Sequence, residues 1–157
     1  MEYYLAEGFN EKGELQPYYQ SNIAVANAQL QQAPEFIRGI LLNERIQGKI
    51  LMESGKTELI GIELSKEGIQ HVFRGEMDNP TLQITGNEAA VVEILNADAP
   101  VDAAVKAINA GSITYGGVSA MDEVKAESNF AITTKLFLVN IASFMSGFLE
   151  KVYSTLS

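Results

Sequence analysis

Between residues 49 and 85 apolar and polar side chains alternate with a period of two, the spacing of half-buried strands. Residues 49–54 place Ile50 and Met52 on one face. After the turn Ser54-Gly55-Lys56, residues 57–64 place Ile60, Ile62 and Leu64 on one face. Lys66-Glu67-Gly68 predicts the next turn, and Ile69, His71 and Phe73 then share the inward face of a third strand. Asp78-Asn79-Pro80 interrupts again, and residues 81–85 predict a fourth strand with Leu82 and Ile84 inward. Four short strands joined by polar turns predict an antiparallel meander.

On either side the period lengthens to that of a helix. The first twenty residues form a polar lead with a turn at Glu11-Lys12-Gly13-Glu14, and Pro17 breaks any helix running through it. From Ser21, a cap at Ser21 or Asn22 and apolar residues at Ile23, Ala26, Leu30 and Ala33 predict a helix. Pro34 ends it or opens a second one through Phe36, Ile37, Ile40 and Leu41. Beyond the strands, Asn87 caps a helix with Glu88 in its first turn and Ala89, Val92 and Leu95 as its stripe. Another helix starts at Pro100, with Val101, Ala104, Val105 and Ile108 on one side, and Gly111 suits its left-handed end. Residues 112–116 predict a fifth strand with Ile113 and Tyr115 inward, and a long helix covers about 131–153.

That last helix carries the largest apolar signal. Ten of the fourteen residues from 136 to 149 are apolar, among them Phe137, Phe144, Met145 and Phe148. The run spans roughly 21 Å as a helix, short of a ~30 Å hydrocarbon core, and Lys135, Glu150 and Lys151 flank it. A membrane span is not expected. Large side chains in such number must still be covered, because each left in water forgoes roughly 1.5–3 kcal/mol. A sheet face covers one stripe only, so the remaining apolar surface is expected to meet a ligand, a partner subunit or the N-terminal segment.

Length and composition narrow the classes. At 157 residues the chain is expected to be a single domain spanning 1–157. It divides into a lead segment (1–20), a helical lead (21–47), the sheet with two helices (48–118) and a C-terminal helical region (119–157). With no cysteine it has no disulfide, no thiol nucleophile and no cysteine-ligated metal site. Eleven basic against twenty acidic residues give a net charge of −9, which disfavours nucleic acid and anionic membrane partners. The opening residues show no basic flank with an apolar run, so the expected location is the cytoplasm.

Candidate chemistry is sparse. Ser54-Gly55-Lys56-Thr57 matches the tail of a phosphate-binding loop, but Ile50 stands where its first glycine belongs and a strand follows where a helix is needed. It reads as a turn. His71, the one histidine, lies on an inward face with no nucleophile or orienting carboxylate placed beside it. The acidic groups Glu76/Asp78, Asp98/Asp102 and Asp122/Glu123 lack the spacing of a calcium loop. No catalytic residue, metal or cofactor is therefore expected. The doublets Tyr3-Tyr4 and Tyr18-Tyr19 suit either cover for an apolar opening or packing on the core.

The stretch from Ile50 to Val118 resembles the sterol carrier protein type-two family. The resemblance rests on the hairpin at 49–64 and the strand at 68–74, followed by Pro80-Thr81-Leu82-Gln83-Ile84-Thr85-Gly86. The helix at 88–95, the Asp98-Ala99-Pro100 step and Ala110-Gly111-Ser112-Ile113-Thr114-Tyr115-Gly116-Gly117 complete it. It implies an α+β fold, a five-stranded, mostly antiparallel sheet covered by helices, with an apolar tunnel between them. By position the tunnel wall would be Phe73, Ile84, Val92, Leu95, Ile108 and Tyr115, closed by Phe137, Phe144, Met145 and Phe148. The resemblance implies a non-catalytic binder or carrier of a lipid, fatty-acyl or isoprenoid ligand, with His71 or Tyr115 as polar anchor. The alternative is an interaction module whose C-terminal helix homodimerises or docks a partner.

Overall fold

A computed structural model of the chain describes residues 2–31 and 44–118. Two helices, α1 (Glu2–Gly8) and α2 (Pro17–Gln31), precede strands β1 (Arg45–Leu51), β2 (Thr57–Ser65), β3 (Gly68–Arg74) and β4 (Leu82–Asn87). Helices α3 (Glu88–Leu95) and α4 (Pro100–Asn109) and strand β5 (Ile113–Gly117) follow. The five strands form one sheet in the order β3-β2-β1-β4-β5. β1 and β4 run parallel, and the other three neighbouring pairs are antiparallel. The expected second helix of the lead and the expected C-terminal helix lie outside the described residues.

The meander holds only as far as β3. β4 does not turn back on β3 but crosses under β2 and β1 to lie parallel beside β1. The connector at 75–81 makes this possible. It is too long for a tight hairpin, and Gly75 (φ 144°) and Asn79 (φ 48°) bend it through left-handed backbone that other residues rarely adopt. Its course is fixed by hydrogen bonds to the strands it passes: Gly75 N–H to Leu59 O (2.8 Å) and Thr81 N–H to Arg45 O (2.8 Å). Between them Met77, buried, gives its N–H to Gln47 Oε1 at 2.6 Å.

A bulge in β3 overturns the expected facing of that strand. Glu63 pairs with His71, but Leu64 pairs with Ile69, so Gln70 is an extra residue. Ile69 and Val72 therefore lie with Ile62 and Leu64 on the face that carries the core. His71 and Phe73 lie on the other face, opposite Glu63 and Gly61. One inserted residue breaks the shared parity of Ile69, His71 and Phe73.

Local chemistry explains the helices. Asn87 caps α3 by accepting Ala90 N–H at 2.8 Å, and Pro100 opens α4 where its missing N–H is harmless. Pro17 does the same for α2, which starts four residues before the expected Ser21. The turn at 10–14 is closed by Asn10 Oδ1, which accepts Lys12 and Glu14 N–H at 2.9 Å each. This loop lies along the outer edge of β3, where Arg74 N–H donates to Gly13 O at 2.7 Å. A Cβ on Gly13 would meet Arg74 O at 2.2 Å, so only glycine lets the two backbones approach.

The helices pack on one face of the sheet in two groups. Tyr19 and Ala26 of α2 pack with Leu15, Ile46, Leu64, Ile69 and Val72; Ala90 and Ile94 of α3 and Ala104 of α4 pack with Ile113. Ile84 packs against both groups from the floor between them.

Candidate functional site

The strand registers place Arg74, Ile60, Gly48, Ile84 and Tyr115 in one row across the sheet, all on the helix-bearing face. The neighbouring row is Val72, Ile62, Ile46, Leu82 and Gly117. At ~4.8 Å between strands, a five-strand row runs roughly 19 Å. Its two ends, Arg74 and Tyr115, are the more exposed, and in the neighbouring row Ile46 on the central strand is buried. Ile46, Ile69 and Val72 are buried, whereas Ile60, Ile62, Leu82 and Ile84 are half-buried and Tyr115 is 36% exposed. Ile60, Ile62, Leu82 and Ile84 all pack against the α2 group, and Ile84 alone of the four also packs against the α3–α4 group.

Gly48 is the low point of the row. It stands between Ile60 and Ile84 and brings no side chain to the row. A Cβ there would sit 3.3 Å from Ile60 O, a tight fit that would also fill that low point. At the β3 end of the row, Arg74 is held by Glu58 through Nη2 (2.8 Å) and Nε (2.9 Å), both to Oε2. That end is charge-compensated, and the rest of the row is apolar up to the Tyr115 ring.

The sequence-expected wall is divided by the sheet. Ile84 and Tyr115 are direct cross-strand partners, and Ile108 packs on the α3–α4 group that also contacts Ile84. Leu95 is buried at the end of α3. Val92 is half-buried but lies roughly 200° round α3 from both Ala90 and Ile94, the residues facing the sheet. Phe73 and His71 are on the opposite face. Phe73 covers Gly61, where a Cβ would meet the ring at 2.3 Å, and its ring lies 5.1 Å from that of His71. His71 is 56% exposed, with Nδ1 3.9 Å from a Glu63 carboxylate that also binds Arg45 at 3.1 Å. It is thus not the inward-facing residue expected, and it lies on the face opposite Ile84 and Tyr115. Phe137, Phe144, Met145 and Phe148 lie outside the described residues.

Sequence reasoning missed Gly48, Ile62 and Leu82 as site residues. The facing of Ile62 and Leu82 is legible from the period of two, but Gly48 lies ahead of the strand expected from 49, and which strands are neighbours is not legible. Asn22, expected only as a helix cap, is instead buried within α2.

Two carboxylates are held more acidic than usual. Glu88, at the start of α3, is held below the usual carboxylate range chiefly by accepting Glu53 N–H, at 2.8 Å. Glu67 is lowered mainly by the Ser65 hydroxyl, 2.7 Å away. Among the described residues no group of three or more His, Cys, Asp or Glu side chains is placed to hold a metal ion. No helix among them is long and apolar enough to cross a membrane.

The sequence matches no protein-family model and no curated protein. Solved structures do match the fold. A conserved hypothetical protein from Thermus thermophilus, a candidate sterol carrier protein, aligns with a TM-score of 0.53 at 13% identity, over 88% of this chain and 92% of that one. A crystal structure of sterol carrier protein 2 aligns at 0.49 and 11% identity, over 82% and 98%. A UbiJ-SCP2 ubiquinone synthesis protein aligns at 0.46 and 10% identity, over 79% and 94%. The α+β fold of this chain is sterol-carrier-like.

Proposed function

From this sterol-carrier-like fold we propose that the chain binds an apolar ligand in the trough between α2 and the α3–α4 pair and carries it without altering it chemically. The observation that supports this most is the row Ile60, Gly48, Ile84 and Tyr115, apolar and only partly covered on the face that otherwise holds the core. Each 100 Å² of apolar surface a ligand removes from water there contributes roughly 2.5 kcal/mol, before the cost of association. The ligand class is a lipid, a fatty-acyl chain or an isoprenoid. The description of the Thermus neighbour as a candidate sterol carrier supports the same class.

The experiment is organic extraction of freshly purified protein followed by mass spectrometry, with the Gly48→Val protein prepared in parallel. A stoichiometric lipid or isoprenoid from the wild type, reduced in the variant whose floor is raised, is the expected result. A clean extract from protein made in its native host, together with no uptake of an added fluorescent fatty acid, would overturn the proposal.

A further inference from the structure

Asn22 is 7% exposed, and its amide nitrogen has no hydrogen-bond partner among the described residues. A buried donor left unpaired opposes folding, so such a group calls for an explanation. Its place on α2 supplies one. Asn27, on the same helix, clasps the backbone of Ile69: Nδ2 donates to Ile69 O at 2.8 Å, and Oδ1 accepts Ile69 N–H at 2.7 Å. Ile69 lies on β3, the strand that ends the sheet. Asn27 therefore marks the side of α2 nearest the sheet edge. Five residues earlier, Asn22 lies about 140° round the helix, with Tyr19, Ile23 and Ala26 between the two against the core. That position puts Asn22 on the flank of α2 away from the sheet edge, across the stripe that faces the core.

We propose that Asn22 is the polar anchor of the trough, its Nδ2–H donating to an oxygen on an otherwise apolar ligand. This rests on the proposed apolar-ligand function and narrows it. The ligand is an oxygen-bearing lipid, with a carbonyl, ester or hydroxyl oxygen partway along hydrocarbon, and not a plain hydrocarbon. A lone uncharged donor in an apolar setting fixes orientation and discriminates against ligands that leave it unpaired.

The test compares two fluorescent probes of matched length, a pyrene-labelled alkane and the methyl ester of the matching pyrene-labelled fatty acid. Wild-type protein is expected to bind the ester about two- to twelvefold more tightly, the range of one net hydrogen bond. Asn22→Leu, close in size, is expected to bind both equally, with alkane affinity unchanged and a melting temperature no lower than that of the wild type. Should Asn22→Leu not fold, Asn22→Ala is read in the same way. Equal binding of the two probes by wild type, or a preference for the ester that survives the substitution, overturns the role of Asn22 while leaving the trough's function standing. Failure of both probes to bind the wild type overturns the apolar-ligand function itself.

Discussion

Gln47 is an uncharged polar residue almost completely removed from water, in the middle of the central strand. Its amide Nε2 donates to Gly48 O, Ile60 O and Gly75 O at 3.2–3.3 Å, and its Oε1 accepts Met77 N–H at 2.6 Å. One side chain thus holds the connector that carries the chain from β3 across to β4. Gln47→Leu keeps the volume but strips Met77 N–H of its acceptor in a buried place. It is expected to lower stability by about 1–3 kcal/mol in urea denaturation, the cost of an unpaired buried donor. A loss below about half a kcal/mol would mean that the connector is held by other contacts. The same residue shows why the crossover escapes sequence reasoning. Gln47 falls in the helical lead expected over 21–47, ahead of the strand expected from 49, and nothing local says that β1 starts at Arg45 or that a loop far along the chain will cover it. His71 and Phe73 escape for a related reason, since Gln70 carries no mark of being the inserted residue of a bulge.

At the scale of elements, the local signals that carry through are those in which one residue decides a backbone question. Asn87 before α3, Pro100 at the start of α4 and Gly111 with φ 73° after it all act within a turn of where they stand. Asn87→Ala is expected to cost about 1 kcal/mol through loss of the cap to Ala90 N–H, read in thermal or chemical melts. Helix α2 begins ahead of its expected start because Pro17, a breaker inside a helix, stands here at the first helical position. Helix α1 leaves no readable pattern, since seven residues ending in glycine give too short a period to detect. The start of α3 also carries a pH signature. Glu88 accepts Glu53 N–H, which keeps its carboxyl below the ordinary value of 4.5. A depressed folded-state value adds stability that is present above that ordinary value and is lost as pH falls through the folded one. Glu88→Gln still offers an oxygen to Glu53 N–H but does not titrate. Between about pH 6 and pH 3 the variant should therefore lose less stability than the wild type. Parallel slopes in the two pH series would show that this contact does not differ between folded and unfolded chains.

For the whole molecule, the sheet divides the candidate residues between its two faces. One face holds the helices and the row of Ile60, Ile84 and Tyr115; the other holds the Arg45–Glu63 ion pair, His71, Phe73 over Gly61, and the connector under Gln47. A strand pattern of period two tells that two faces exist, but the sheet order β3-β2-β1-β4-β5 is needed to say which residues meet across it. This division gives a paired experiment with fluorescent fatty-acid uptake as its readout. Ile84→Asp puts a carboxylate into the floor where the two helix groups meet, and a charge there opposes both an apolar ligand and the packing on either side. Uptake should fall at least about tenfold. The milder Ile84→Ala, which opens space without adding charge, separates loss of ligand from loss of fold: its uptake should change by only a few-fold while its melting temperature drops. His71→Ala changes only the opposite, solvent-facing side, so it should leave uptake unchanged within about twofold and stability nearly so. If His71→Ala abolished uptake while Ile84→Asp left a folded protein that still bound, the ligand would have to sit on the charged face, and the trough beneath α2, α3 and α4 would be a core surface with no ligand of its own.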